Sequence, residues 1–556
     1  LVGSEMCIRD SFIFALGIVI MGLSFSGKGR NMKSFFAAGG AVPWAMSGLS
    51  LFMGFFSAGT FVVWGSIAYS LGWIAISIQW TMAIAGFVVG FFIAPRWHKT
   101  SALTVAEYIT RRLGVNTQKT YTYLFLFISL FTTGSFLYPV AKIVEVSTGM
   151  PLDLCILLLG GFCIVYVAAG GLWAVVSTDV LQFIILTAAV LIVVPLSFGR
   201  VGGVVNFIES IPATYFNLVN GEYTIGFIIA FGVYNAIFLG GNWAYVQRYA
   251  SVNSQSSARK VGFLFGGLYV VSAVLWMLPP MIYRIVNPSL STIDAEGAYL
   301  MMCKEVLPAG LLGLMLSGMV FATASSLNAT LNISSGVVTN DIFKRLFPQS
   351  SDKTLMRVAR ISTIIFGLLA IIVALLIPLM GGIVNVVISV AALTGVPLYL
   401  PIIWTLFSKR QTEYSVITTT LVSLGANAFF KFITPLWGFG FNRAEEMIVG
   451  VAFPVFCLIA FELYYKLNHK ISHRYVEYQE WEKENNCIKE TERKEDKVMT
   501  EADNKFSKRV ISYGIFLTGA AIALLGGLAE KGKILVIAVG IALVLLALWL
   551  YPKKER

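Results

Sequence analysis

The sequence breaks into about fifteen apolar runs of membrane-crossing length, and nothing else in it constrains the fold as strongly. A bilayer core about 30 Å thick takes about 20 helical residues at about 1.5 Å each. The runs cover approximately 11–26, 43–71, 73–95, 119–146, 151–172, 176–199, 224–249, 260–287, 305–338, 357–381, 383–407, 412–435, 445–467, 509–527 and 533–551. Composition agrees: of 556 residues 57% are hydrophobic and 13% charged, against roughly 45–50% and about 25% in soluble chains. A soluble enzyme with one buried core, a disordered chain and a disulfide-stapled secreted protein are excluded. The expectation is an all-α polytopic membrane protein.

The six cysteines lie singly, without a CxxC spacing, and read as small core hydrophobes. The three histidines, His98, His469 and His473, sit in polar breaks. No nucleophile and base pair, metal cluster or cofactor loop is visible, so an enzyme is not expected and neither is an organic cofactor.

The formal charge of +12 is located in alternate connections: Lys28, Arg30 and Lys33; Arg96, Lys99, Arg111, Arg112 and Lys119; Arg248, Arg259 and Lys260; Lys344, Arg345, Lys353, Arg357 and Arg360; Lys409 and Arg410. The intervening connections hold few cations. By the positive-inside rule the basic connections are cytoplasmic and the N-terminus is outside. The charge is a topology signal, and the expected partners are the lipid bilayer and small solutes rather than nucleic acid.

The chain divides accordingly. Residues 1–10, opening Leu-Val-Gly-Ser-Glu, join poorly to the short apolar run after them and are set aside as an uncertain or spurious start. Residues 11–42 are an extra N-terminal transmembrane helix and cytoplasmic loop, and 43–407 a ten-helix core. Residues 408–467 are two additional helices, 468–508 a charged cytoplasmic linker, and 509–556 two C-terminal helices with a basic tail.

Two runs are interrupted by small residues at matching points of a two-fold repeat. In 43–71 the break is Gly54 followed by Ser57-Ala58-Gly59-Thr60, and in 224–249 it is Leu239-Gly240-Gly241-Asn242. These are the first and sixth runs of the ten. Five is odd, so the second set of five starts from the opposite side, giving an inverted repeat. Paired broken helices in such repeats present free backbone groups at mid-membrane, where ions and substrate bind; the bland alternative is close helix packing on small residues.

A third polar cluster is Phe321-Ala322-Thr323-Ala324-Ser325-Ser326-Leu327-Asn328-Ala329-Thr330. Adjacent serine hydroxyls and the Ala322 carbonyl one turn back supply three oxygens for a hard cation, and carbonyls of the broken helix near 53–56 complete the shell. Serine bonded to its own backbone four residues earlier is the competing account. Asp179, at the start of a run, is either a membrane-buried ion partner or an N-terminal cap. Lys142 and Glu145 sit three apart and can pair, although snorkelling is the plainer account of Lys142.

Together these residues resemble the sodium:solute symporter family, from about Lys33 to Lys466. The marks are Ser57-Ala58-Gly59-Thr60-Phe61 with Gly65, Tyr69 and Gly72; Thr104-Val105-Ala106-Glu107-Tyr108; Gly170-Gly171-Leu172-Trp173-Ala174-Val175 with Thr178-Asp179 and Gln182; Asn242 with Gln247-Arg248; and Ala322 with Ser325-Ser326. The resemblance implies an inverted-repeat fold like that of the bacterial leucine transporter, with alternating access around a central site. It implies a sodium site on the carbonyls of Met53, Phe56 and Ala322 and the hydroxyls of Ser325 and Ser326, and places Asp179 near a second ion site. Where members with that second site carry serines this chain has Asn328 and Ala329. The substrate positions it implies are Thr60, Gln79, Asn235, Phe238 and Tyr269, Phe238 standing at an aromatic gate without its hydroxyl. Trp80, Trp243 and Phe238 are the rings available to stack on a sugar.

The expected activity is sodium-coupled import of a small polar solute, a sugar first and a small carboxylate second, with Lys142 as the anion partner. A proton-coupled transporter of the same fold, using Asp179 or Glu145, and a membrane sensor signalling through 468–508 are the rival readings.

Overall fold

The computed structural model describes residues 42–100, 102, 104–167, 172–482, 497–528 and 533–552. The expected N-terminal start and helix (1–10 and 11–42, save Val42), Gly170 and Gly171, the middle of the 468–508 linker and the end of the basic tail lie outside these residues, as do the side chains of Ser325, Asn328 and Ala329.

The described chain is helical, without a strand among the described residues. The elements used below are α1 (Trp44–Met53), α2 (Gly65–Leu71), α3 (Trp73–Lys99), α4 (Val105–Leu113), α5 (Val115–Thr148), α6 (Leu152–Val167) and α7 (Leu172–Arg200). They continue with α8 (Ile225–Gly241), α9 (Trp243–Ala250), α10 (Gln255–Val286), α11 (Ala309–Val337), α12 (Asp352–Leu376), α13 (Ile383–Thr405), α14 (Glu413–Trp437), α15 (Arg443–Leu467), α16 (Lys497–Leu528) and α17 (Lys533–Leu550).

Nine helices among the described residues are long and apolar enough to cross a membrane, ten if α8 and α9, bent by 60° at Asn242, count as one span. The apolar helices Trp44–Met53, Thr60–Leu71, Leu152–Gly161, Gly310–Val320 and Ser512–Leu524 are shorter than that length, which accounts for part of the difference from the fifteen apolar runs. Large apolar side chains crowd the outside, such as Ile84 at 61% and Phe92 at 60% exposure, while Ser50, Gln79, Asp179 and Asn235 are buried. That inversion of the soluble pattern is what a lipid solvent selects, and the chain is a multi-pass membrane protein.

Both interrupted runs are broken where the small residues stand. Past α1 the bonding tightens to three-residue turns, Gly54 N donating to Leu51 O and Phe55 N to Phe52 O, and the chain re-enters a helix at Ala58. Asn242 ends α8 in an extended conformation and caps α9, its side chain accepting from Ala244 N at 3.0 Å. Thr104 caps α4 by accepting from Glu107 N at 3.1 Å, which gives the Thr-Val-Ala-Glu motif a physical role.

Helices α3 and α10 cross on facing glycines, Gly86 and Gly90 against Gly262 and Gly266. A Cβ on Gly262 would stand 2.5 Å from Gly90 Cα, so only glycine lets these backbones approach. On one end, Glu296 in the turn after α10 accepts from Ile383 N at 3.0 Å and from the Tyr138 hydroxyl at 2.9 Å, holding the start of α13 against α5. Helical residues from His473 to Glu482, within the linker, lie over α4: the rings of Tyr475 and Trp481 face the guanidinium groups of Arg112 and Arg111 at 5.0 and 5.1 Å.

Candidate functional site

The break after α1 and the break between α8 and α9 face two adjoining cavities. One, with an empty volume of about 1130 Å³, is walled by α3, α8, α10, α13 and the start of the helix after the first break. Thr60, Gln79, Asn235, Phe238 and Tyr269, the five expected solute positions, all line it. Tyr234, Tyr245 and Tyr399 join them, and none of the described residues lining this cavity is charged.

Four of the five are held by specific neighbours, and Gln79 is buried in the cavity wall. The Thr60 hydroxyl donates to the Phe55 carbonyl across the break. Asn235 donates to Thr81 Oγ1 at 2.8 Å, and Thr81 donates in turn to Ile78 O at 2.6 Å. Tyr269 packs edge-on to Phe52 and Phe55, with centroids 5.5 and 6.3 Å away. Phe238 stacks on Tyr234 at 5.5 Å, and its ring lines both cavities. Of the other proposed stacking rings, Trp80 donates to Val270 O and Trp243 lies flat on Phe125 at 4.7 Å; neither lines either of these two cavities.

The second cavity, of about 830 Å³ empty volume, is where the charges are. Met53, Ser326, Asp179 and Arg248 line it together with Ser50 and Asn242. Ser50 donates to Asp179 Oδ2 at 2.6 Å, and Arg248 Nε lies 3.4 Å from the Ser50 hydroxyl. Arg248, read from the sequence as one more cytoplasmic charge, is 6% exposed here. Lys142, expected to snorkel and offered as an anion partner, is buried instead, pairs with Glu145 at 2.8 Å and lines neither cavity.

Of the expected sodium residues, Met53 and Ser326 share a cavity wall. Phe56 is buried and stacks on Trp276 at 4.6 Å. The Ser326 hydroxyl donates to the Ala322 carbonyl, 3.4 Å away, the backbone bond four residues earlier that the competing account expects, and this keeps both oxygens at one spot on α11. Thr323, not singled out in the sequence, ties that spot to the first break: its Oγ1 accepts from Ala58 N at 3.3 Å. The break and the Ala322–Ser326 turn are therefore in register, with neutral oxygens of the kind a hard monovalent cation prefers.

The sequence model of the sodium:solute symporter family matches residues 35–422, well over half of the chain. The chain belongs to that family. Among curated relatives of this symporter, the sodium/glucose cotransporter of Vibrio parahaemolyticus is 28% identical over 468 residues, covering 76% of this chain and 85% of that one. Sodium/glucose cotransporter 1 of Mus musculus is 25% identical over 507 residues, covering 81% and 75%. Sodium/myo-inositol cotransporter 2 of Sus scrofa is 27% identical over 463 residues, covering 74% and 68%. A solved sodium-coupled sialic acid symporter, substrate-bound and outward-open, superimposes with a TM-score of 0.70 at 22% identity, covering 82% of this chain and 97% of that one. That likeness shows a shared fold.

Proposed function

We propose that this symporter couples sodium entry to import of a small neutral polyhydroxylated solute, a sugar or cyclitol, by alternating access in an inverted repeat of two five-helix sets within 43–407. The observation that carries the reading is the pairing of an uncharged cavity, lined by amides, hydroxyls and aromatic faces, with a cluster of neutral oxygens at the adjoining break. Amides and hydroxyls satisfy a sugar's hydroxyl groups and aromatic rings cover its apolar faces. A small carboxylate would enter this cavity without a cationic partner, which disfavours the second reading.

Sodium is assigned to the carbonyls of Met53, Phe56 and Ala322 and the hydroxyls of Ser325 and Ser326. Asp179 is the candidate for a second ion. The solute is assigned to Thr60, Gln79, Asn235, Phe238 and Tyr269. Sodium bound between the first break and α11 draws them together and completes the cavity wall carrying Thr60. Sodium and solute then favour the same state, so each tightens the other by the same factor. One sodium crossing about 100 mV gains about 2.3 kcal/mol, and a tenfold gradient adds about 1.4 kcal/mol. The sum supports about 500-fold accumulation of a neutral solute. The basic connections and 468–508 are assigned to the cytoplasm, with the C-terminus, and the membrane is the cell's inner one.

Uptake of labelled D-glucose, myo-inositol, sialic acid and acetate into proteoliposomes, under imposed sodium, potassium or proton gradients, tests the reading. Concentrative uptake of a neutral polyol driven by sodium alone, abolished by Ser325→Ala with Ser326→Ala, is the expected result. Uptake driven equally by protons and untouched by that double substitution would hand the site to the proton-coupled reading through Asp179.

A further inference from the structure

Helix α13 changes its winding where it lines the solute cavity. Residues Ala391–Gly395 form a π-helical stretch, and Val390, Ala391, Thr394 and Gly395 face the cavity. Two residues beyond the stretch stands Pro397. A residue at 397 would donate its N–H to the Leu393 carbonyl in an α-helix and to the Ala392 carbonyl in a π-helix, and proline has no N–H. In a membrane a carbonyl left without its donor in this way must find one from a neighbouring segment.

Here Asn427 supplies it. Its side chain, 5% exposed on α14, donates from Nδ2 to Ala392 O at 3.1 Å and to Leu393 O at 3.2 Å. Both partners are carbonyl oxygens, so only the amide NH2 can face them. Asn427 does not itself line the cavity. On the cavity side the same stretch is pinned by shape: a Cβ on Gly395 would overlap the ring of Tyr234, another cavity residue. Behind it, Gly450 of α15 lies so close that a Cβ there would strike the Ala392 carbonyl.

We propose that Asn427 is a positioning residue for the solute cavity: its amide stands in for the one N–H that Pro397 lacks, reaching both carbonyls which that N–H could have served, and thereby fixes the bulge that presents Thr394 and Gly395 to the solute. The proposal rests on the reading of the uncharged cavity as the solute site.

The test uses the full chain in proteoliposomes with labelled D-glucose and myo-inositol as probes. Asn427→Leu raises the half-saturating concentration of the sugar carried about tenfold, the scale of one net hydrogen bond. It leaves the sodium-induced rise in thermal midpoint, measured without sugar, as in the wild type. Adding Pro397→Ala returns a backbone donor and brings half-saturation back to within about threefold of wild type. A shift below about twofold in Asn427→Leu, or no recovery with Pro397→Ala, overturns the proposal. Should Asn427→Leu fail to reach the membrane, Asn427→Ser, too short to reach both carbonyls, is read by the same criteria.

A second readout needs no solute. With cysteine placed at Thr394, Asn427→Leu changes the rate of labelling by a small water-soluble maleimide and Pro397→Ala reverses the change; an unchanged rate overturns the bulge argument. Wild-type proteoliposomes that carry neither sugar count against the neutral-polyol reading, and the labelling result then decides the role of Asn427 on its own.

Discussion

The Ser50 hydroxyl donates to the Asp179 carboxylate at 2.6 Å. Because Arg248 Nε lies 3.4 Å from the same hydroxyl, one serine joins an anion on α7 to a cation on α9 from its own position on α1. The two half-helices that flank the breaks are thus tied together through a buried charge network.

Breaking a network by removing one charge leaves its partner uncompensated, whereas removing both relieves the penalty. Asp179→Asn and Arg248→Gln are therefore expected to destabilise the fold more, summed singly, than the double variant does. The coupling should fall in the range of about 0.5–3 kcal/mol. Denaturant unfolding of the four proteins in detergent, with potassium in place of sodium, measures it. Additivity would mean that the two charges are independently solvated.

Gly262 is the narrowest point of the crossing between α3 and α10. Gly262→Ala puts a methyl group 2.5 Å from Gly90 Cα, in backbone that a rotamer change cannot move. A loss of about 1–3 kcal/mol is expected from such overpacking, read as a lower thermal midpoint with the sodium-induced shift retained. An unchanged midpoint would show that the two helices separate freely.

Much of this arrangement is legible in the sequence, and the exceptions have physical reasons. Gly54 and the Gly240-Gly241-Asn242 stretch announce the two breaks because glycine and asparagine punctuate helices whatever surrounds them. The five cavity residues come from family resemblance rather than from spacing. Arg248 stands in the sequence as a family mark and a topology charge, and its place in the cavity shows only in its burial against Ser50. Lys142 escapes a sequence reading because its pairing with Glu145 competes with snorkelling and sequence does not say which wins. Trp80 and Trp243 line neither cavity, a matter of side-chain placement that no periodicity encodes. The π-helical stretch in α13 leaves one signal, Pro397, whose meaning depends on a donor 30 residues later.

Glu296 gives a pH dependence of definite sign. Burial pushes its carboxyl above the ordinary glutamate range, against the opposing pull of the Ile383 amide, the Tyr138 hydroxyl and Lys142, with Glu145 adding to the rise. The unfolded chain therefore loses this proton at a lower pH than the folded one. The stability the protonated group contributes is complete below the ordinary value of about 4.3 and is lost as pH climbs through the raised folded value. Glu296→Gln lacks that titration. The thermal midpoint of the wild type relative to Glu296→Gln should fall across this window and then stay level, and a difference that is flat or rises with pH would contradict it.

Phe238 stands on the boundary of the two cavities, with Ile128, Thr132, Phe136, Tyr245 and Tyr399 also lining both. Its ring lines both, stacked on Tyr234 and edge-on to Tyr245 and Tyr399 at 5.6 and 5.8 Å. Removing its ring is expected to widen the opening between the uncharged compartment and the one carrying Asp179 and Arg248, so that solute leaks between them more readily. Phe238→Ala is expected to weaken coupling more than binding: sugar equilibration across the membrane without a sodium gradient rises while concentrative uptake falls. Phe238→Tyr keeps the ring and should retain concentrative uptake. Equilibration and uptake measured in the same proteoliposomes separate these effects, and a Phe238→Ala variant that loses uptake with no rise in sodium-independent equilibration would leave the ring as a binding contact alone, with no part in coupling.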